Sequence, residues 1–440
     1  MSIKKIFEWD RLRTSGSDPE KSLNPEEFSI LENYILQTNL RLENQDRPPF
    51  FSILFENGEK VIQVRNYVGS IAIPETRLIL SIYPKTLRDE KDPIEKGQAL
   101  LREMLKTVYG FSYKKGKNTP LPLTNGTIWD HFIQDFLVHL RYVRHEGLFS
   151  HYKRVRENST FCRGKILWTR QIKRNFLHPE RFYTQTFHLN IDTPENRVIK
   201  ATLLLLQKVA QHEQTRRNIS RFLELLESVP RPISWIDDFE RIILHQDNRH
   251  YQRVLQYVRI FLSSMTFGLF SQDEKNSKVQ SFLIPMQRLF EKYIANQLKK
   301  WATSKNYKIQ TQQTIPFFEK YQLRIDCLLQ TQENEKTIVL DTKWKIPDQN
   351  MPSADDMRQI AIYQRKLNAT CAILLYPKVD KYQEYCFYHD SRLNTTVHMC
   401  FVDLFKKEID LQKLFARIAS IVATPNTNCL RDPLTNTKHA

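Results

Sequence analysis

The alternation of hydrophobic and polar positions is sharpest between Tyr321 and Lys345. There Gln322–Gln330 and Thr337–Lys345 follow a period of two around a polar turn at Glu333-Asn334. Such a pattern predicts the two strands of a hairpin. With pairing symmetric about the turn, the indices of paired residues sum to 667, so Asp326 stands opposite Asp341, with Cβ atoms about 5 Å apart. The same period puts Lys343 on the face of Asp341, while Ile325, Cys327, Leu329, Ile338, Leu340 and Trp344 share the other face. The pair is therefore expected to be buried on one side and to present solvent-facing carboxylates on the other.

The flanking segments change period. Pro285–Trp301 carries Met286, Leu289, Phe290, Tyr293, Ile294 and Leu298 at helical spacing, with Glu291 at the margin of the apolar stripe, where a carboxylate can look toward the hairpin. Ser353 and Asp356 form a capping-box-like start to a helix over Ala354–Leu367, which places Gln359 and Tyr363 on one face. Thr370–Tyr376 reads as a buried strand.

Earlier in the chain, strands are predicted at Ile3–Trp9, Phe50–Phe55, Val61–Tyr67 and Arg77–Tyr83. A helix is predicted at Asn24–Gln37 and a turn at Asn57-Gly58. Helical periods then dominate, at Ile94–Tyr109, Thr127–Glu146, Glu195–Gln211, Asn218–Leu226, Trp235–Ile243 and Asn248–Phe267, with breaks at Pro120-Leu121-Pro122, Pro179 and Pro230-Arg231-Pro232. The expected class is α+β and multidomain. A β-rich region spans 1–93, a mainly helical basic region 94–280, an α/β domain with a mixed central sheet 281–423, and a disordered tail 424–440.

Composition narrows the function. A chain of 440 residues, 41% hydrophobic and 26% charged, suits two or three globular domains. No N-terminal apolar run suits a signal peptide and no stretch approaches the roughly 20 apolar residues of a membrane span, so the protein is expected to be soluble, cytoplasmic and without a membrane partner. Six widely separated cysteines without a CxxC suggest neither a zinc site nor a disulfide framework. His131, His139, His145 and His151 do not stack on one helix face, which leaves zinc unsupported there too. The net charge of +17 favours a polyanionic partner.

From Arg141 to Arg181, eleven Lys and Arg stand against three acids, interleaved with Tyr142, Phe149, Tyr152, Phe161, Trp168 and Phe176. Arg154, Arg156, Arg163, Lys165, Lys173 and Arg174 can track DNA phosphates from such a segment; a solvated basic face over core aromatics explains the same pattern equally well. No G-x-x-x-x-G-K-[ST] loop occurs among only ten glycines, so the chain itself is not expected to bind a nucleotide.

The order helix, hairpin, helix, strand, with Glu291, Asp326, Asp341-x-Lys343 and Gln359 in place, resembles the PD-(D/E)xK nuclease core. Further stretches are similar to the McrC family, the nuclease subunits of McrBC-type, 5-methylcytosine-specific restriction systems. They are Val68-Gly69, Ser81-Ile82-Tyr83-Pro84-Lys85, Tyr152 with Arg163-Gly164-Lys165-Ile166, Asp192-Thr193-Pro194-Glu195-Asn196-Arg197-Val198-Ile199-Lys200, Phe290-Glu291, Arg324-Ile325-Asp326, Asp341-Thr342-Lys343-Trp344-Lys345, Tyr363 and Leu375-Tyr376-Pro377. The resemblance runs from about residue 60 to about residue 405; residues before Lys60 and the tail Thr424–Ala440 carry none of it.

The resemblance implies a Mg²⁺-dependent DNA endonuclease. Asp326 and Asp341 would ligate the metal, the Thr342 carbonyl would add a third ligand, and Glu291 would bind directly or through water. Lys343 would orient the attacking water and Gln359 would hold Lys343 or a phosphate. Arg324 suits a DNA phosphate, or a salt bridge to either aspartate. The implied partners are double-stranded, modified DNA and a hexameric McrB-like AAA+ GTPase, stimulated by this subunit and met through residues 1–93. Two other readings stay open: a non-catalytic adaptor that stimulates an AAA+ ring, and a self-sufficient PD-(D/E)xK repair nuclease.

Overall fold

The computed structural model describes every residue except 1, 44–48, 74, 110–127, 211, 266–279, 320, 332–335, 349–350, 380–384, 391, 393–394, 405–406 and 424–440. The predicted turn at Glu333-Asn334, the break at Pro120-Leu121-Pro122 and the predicted disordered tail lie outside the described residues. The chain divides into two compact units, residues 1–114 with 273–440, and residues 115–272.

The first unit begins with β1 (Ser2–Phe7), β2 (Arg11–Leu12), α1 (Pro25–Glu43), β3 (Phe51–Glu56), β4 (Glu59–Val64), β5 (Tyr67–Ile73), β6 (Leu78–Tyr83) and α2 (Pro93–Tyr109). A reciprocal cap starts α1: Glu27 N–H donates to Asn24 Oδ1 at 2.7 Å and Asn24 N–H donates to Glu27 Oε2 at 3.0 Å. Asn57 and Gly58 turn the β3–β4 hairpin at φ of 51° and 81°, the left-handed pair a two-residue hairpin turn requires. β2, β4 and β3 form one small sheet, while β1, β6 and β5 lie side by side in another, with β1 parallel to β6.

The second unit holds α3 (Ile128–Glu146), β7 (His151–Ser159), β8 (Lys165–Ile166), α4 (Trp168–Asn175), β9 (Phe182–Asn190), α5 (Pro194–Val209), α6 (Glu213–Leu225), α7 (Trp235–Glu240) and α8 (Gln252–Met265). Phe136, Leu203, Leu206, Tyr251, Val254 and Phe261 are buried in it. α3, α5 and α8 follow the predicted periods, α6 begins five residues before the predicted Asn218, α7 stops at Glu240 rather than Ile243, and α4 has no predicted counterpart. The antiparallel sheet β7-β9-β8 is a departure from the mainly helical expectation. Tyr152, Lys153, Arg154, Phe187, His188 and Leu189 are all exposed, so these strands lack a buried alternate face to mark them.

The first unit resumes with β10 (Gln280–Pro285), α9 (Met286–Ser304), β11 (Lys308–Phe317), β12 (Tyr321–Gln330), β13 (Thr337–Thr342), α10 (Ala354–Lys366), β14 (Cys371–Pro377), β15 (Cys386–Asp390), β16 (Thr395–Val402) and α11 (Lys407–Ala423). β10 pairs antiparallel with β5, so the N-terminal sheet takes its fourth strand from beyond residue 272. α2, whose period begins the predicted middle region, belongs to this unit and packs along α9.

The remaining strands make a mixed sheet in the order β11-β12-β13-β14-β16-β15, parallel through β13, β14 and β16 and antiparallel at its margins. Its hairpin has the predicted register, from Gln330 opposite Thr337 to Cys327 opposite Leu340. Two expectations need correction. β13 ends at Thr342 rather than Lys345, and the Lys343 N–H turns to the Leu375 carbonyl at 2.8 Å. Both hairpin faces are covered, because α9 and α10 pack against these strands and parallel strands at a sheet centre are buried on either side. Asp326 and Asp341 are thus 8% and 3% exposed, not solvent-facing.

Candidate active site

Asp326 is the first residue of β12 beyond the last pair of the hairpin ladder, and Asp341 is its counterpart on β13. Thr342 orients the first: its N–H and its hydroxyl both donate to Asp326 Oδ2, at 2.8 and 2.7 Å. Lys343 engages the second, with Nζ 2.6 Å from Asp341 Oδ2, an ion pair off the ideal hydrogen-bond direction. Each aspartate keeps Oδ1 without a hydrogen bond or ion pair among the described residues.

Lys343 is held from a second side. Its Nζ donates to Gln359 Oε1 at 2.6 Å, Gln359 Nε2 donates to the Tyr363 hydroxyl at 2.7 Å, and that hydroxyl donates to the Arg324 carbonyl at 3.0 Å. The predicted face of α10 therefore closes back onto β12. The helix starts on a Ser353 cap, with the Asp356 N–H donating to Ser353 Oγ at 3.2 Å. Asp356 does more than begin the helix, which local reasoning missed. Its buried carboxylate takes Lys345 Nζ at 2.8 Å and the Tyr376 hydroxyl at 3.0 Å, and stands 3.9 Å from Lys343 Nζ. The alternative for Arg324, a salt bridge to either aspartate, is not found among the described residues; its exposed guanidinium donates to Gln312.

The electrostatics show crowding of like charge. Burial raises the Asp341 carboxyl to about 6; Lys343 opposes this and Asp326 adds to it. Burial and Asp326 raise Glu291 to about 7, against Gln287 and Arg324. Desolvation pulls the Lys343 ammonium down, but Asp341, Asp356 and Asp326 together outweigh it and leave the group above its ordinary value. Among the described residues no three His, Cys, Asp or Glu side chains are arranged to hold a metal ion.

A sequence profile of the McrBC 5-methylcytosine restriction system component family matches residues 62–377, which include every residue of this cluster. The chain belongs to that family. No curated protein matches it. Among solved structures, it resembles a chain of the refined half-complex from the tetradecameric assembly of Thermococcus gammatolerans McrB AAA+ hexamers with bound McrC. That match has a TM-score of 0.69 and 18% identity over 95% of this chain and 100% of that one. It also resembles a chain of the Thermococcus gammatolerans McrBC complex seen by cryo-EM, at a TM-score of 0.49 and 19% identity over 68% of this chain and 88% of that one. At such identities the likeness is one of fold.

The McrBC match also takes in the basic segment, which lies in the other unit. Arg154 and Arg156 are on β7, Lys165 on β8, Lys173 and Arg174 on α4, and Arg163 in the turn before β8; all are exposed. Arg154 lies over the Phe187 ring at 5.8 Å, and Arg170 and Arg174 lie over Tyr183 at 5.5 Å each. Phe161, Trp168, Phe176 and Leu177 are between 67% and 81% exposed, so these side chains are not core. Gly164 lets the turn approach β9: its φ is +78°, and a Cβ there would meet the Gln185 carbonyl at 2.5 Å. Among the described residues no helix is long and apolar enough to cross a membrane.

Proposed function

We propose that the chain is a PD-(D/E)xK DNA endonuclease, the McrC-like subunit of a modification-dependent restriction system, which cuts DNA by Mg²⁺-dependent phosphodiester hydrolysis. The observation that carries the reading is the buried set of Asp326, Asp341 and Lys343, in which Lys343 is held by both Asp341 and Gln359. A structural ion pair needs one carboxylate. A second, adding to the burial that already raises the pKa of the first, suits a site built for a divalent cation.

The donors fit magnesium in kind. Asp326 Oδ1 and Asp341 Oδ1 are hard oxygens without other partners among the described residues, the Thr342 carbonyl adds a third donor, and Glu291 stands near enough for its ionisation to feel both aspartates. When bound, Mg²⁺ supplies Lewis-acid polarisation of the phosphodiester. Lys343 Nζ orients the attacking water and offsets the charge that grows on the phosphate oxygens, and Gln359 fixes Lys343 in place. Arg324 is exposed at the edge of the cluster, which supports its meeting a phosphate of the substrate.

The partner in this reading is a McrB-like AAA+ GTPase hexamer, and the substrate is double-stranded DNA carrying a modification. The basic face of β7, β8 and α4 is the proposed DNA contact. Its exposed aromatic and aliphatic side chains also favour a second reading, in which that face meets the protein partner, because phosphate contacts alone need no apolar surface. The test combines purified chain and partner with nucleotide, Mg²⁺ and plasmid with or without 5-methylcytosine. Cleavage restricted to the modified plasmid and lost in Asp341→Ala is the expected outcome. Retained cleavage in that variant refutes the site. Efficient cleavage without partner or nucleotide favours the self-sufficient nuclease, and stimulation without cleavage favours the adaptor.

A further inference from the structure

Trp344 sits between Lys343 and Lys345, and its side chain is buried at 1% exposure. The ring packs on Phe290 with centroids 5.4 Å apart, and Phe290 immediately precedes Glu291 on α9. One side chain therefore touches the helix that carries Glu291 while its own backbone carries on from Lys343. What holds it comes from the far end of the chain. The indole Nε1–H donates to both oxygens of Glu8 at 3.0 Å, and Glu8 Oε2 also accepts the Lys85 N–H at 3.0 Å. Lys85 Nζ donates to the Trp344 carbonyl at 2.6 Å and to Asn66 Oδ1 at 3.0 Å. The Asn66 carbonyl takes the N–H of Met286, the first residue of α9, at 3.0 Å.

Glu8 and Lys85 are 0% and 6% exposed. Apolar residues of similar volume stabilise a core at least as well as a buried carboxylate and ammonium. Both groups bear on Trp344 in the loop after β13, the carboxylate on its ring N–H and the ammonium on its carbonyl. We propose that Glu8 and Lys85 are positioning residues for the nuclease reaction: by fixing the ring and carbonyl of Trp344, they set where Lys343 and Glu291 stand relative to Asp326 and Asp341. The inference rests on the nuclease reading above and makes the N-terminal strands part of the frame of the site.

The test uses the full chain with its nucleotide-hydrolysing partner, Mg²⁺ and plasmid containing 5-methylcytosine. Glu8→Gln, Lys85→Met, Trp344→Phe and the Glu8→Gln/Trp344→Phe double variant are measured for kcat and KM of cleavage and for thermal stability. Leu411→Ala serves as control, a buried substitution in α11, which carries no site residue. Each single variant is expected to lose roughly 10- to 100-fold in kcat at unchanged KM, because misplacement of a catalytic group by about 1 Å costs that much. The double variant should be no worse than its worse parent, since both substitutions break one link. Wild-type kcat in the variants, multiplied losses in the double, or an equal kcat loss in Leu411→Ala overturns the proposal. Cleavage by the wild type separates these outcomes from failure of the nuclease reading, which takes the proposal down with it.

Discussion

Asp341 is charged at neutral pH against the preference of its surroundings. Its pKa rises from 3.8 to about 6 because desolvation and the Asp326 charge together exceed the attraction of Lys343. A neutral isostere removes that imbalance, so Asp341→Asn should melt above the wild type at pH 8 by the equivalent of roughly 1–3 kcal/mol while losing cleavage. The sign with pH follows from linkage. The folded state of Asp341, and of Glu291 with its pKa near 7, binds protons that the unfolded chain has released, so without divalent cations these groups lower stability progressively as pH rises from about 4 to about 7. The advantage of Asp341→Asn should therefore shrink at pH 5. Unfolding curves at pH 5 and 8 check this, and a variant less stable than wild type at pH 8 contradicts the account.

At the scale of elements, the hairpin β12–β13 and the sheet β7-β9-β8 differ in how far the chain announces them. The hairpin alternates around a polar turn, and its register follows from that symmetry. β7 and β9 expose side chains on both faces, so no buried stripe marks their period, and only the density of charge and aromatics sets the segment apart. If that surface binds DNA, reversing charge at Arg154, Arg156, Lys173 and Arg174 should weaken binding of all sequences alike and flatten its salt dependence. Titrations at several salt concentrations read this out. Unchanged DNA binding with lost stimulation of partner hydrolysis assigns the face to the protein partner. Gly164→Ala should cost about 1–3 kcal/mol, since the Cβ meets β9 and the backbone sits at positive φ; thermal unfolding of the variant measures it.

For the whole molecule, the connection between the N-terminal strands and the site changes what a truncation means. The resemblance implies that residues 1–93 meet the partner, and a mere docking piece would leave the site assembled when residues 1–89 are deleted. Yet β1, β5 and β6 share a sheet with β10, and Glu8 and Lys85 hold Trp344. Deleting residues 1–89 strips β10 of its sheet and leaves a buried indole N–H without its acceptor, a loss of the kind that unfolds domains. The expected product is insoluble or inactive as a nuclease, and solubility with cleavage of modified plasmid reports it. A soluble truncation that cleaves normally would show the strands to be a separable attachment.

Sequence by itself determined what depends on near neighbours and on a period. The hairpin register, the Ser353 and Asn24 caps, the Asn57-Gly58 turn, the stripes of α9 and α10, and the placing of Asp326, Asp341, Lys343 and Gln359 on facing elements are all of this kind. Tertiary structure alone decided that both aspartates are buried, that Asp356 belongs to the charge cluster, and that β10 completes a sheet begun before residue 80. It also decided that Trp344 meets Glu8 across 336 residues of chain. Such contacts are selected by burial and by the need to satisfy buried polar groups once the elements pack, and neither requirement leaves a periodic mark along the chain.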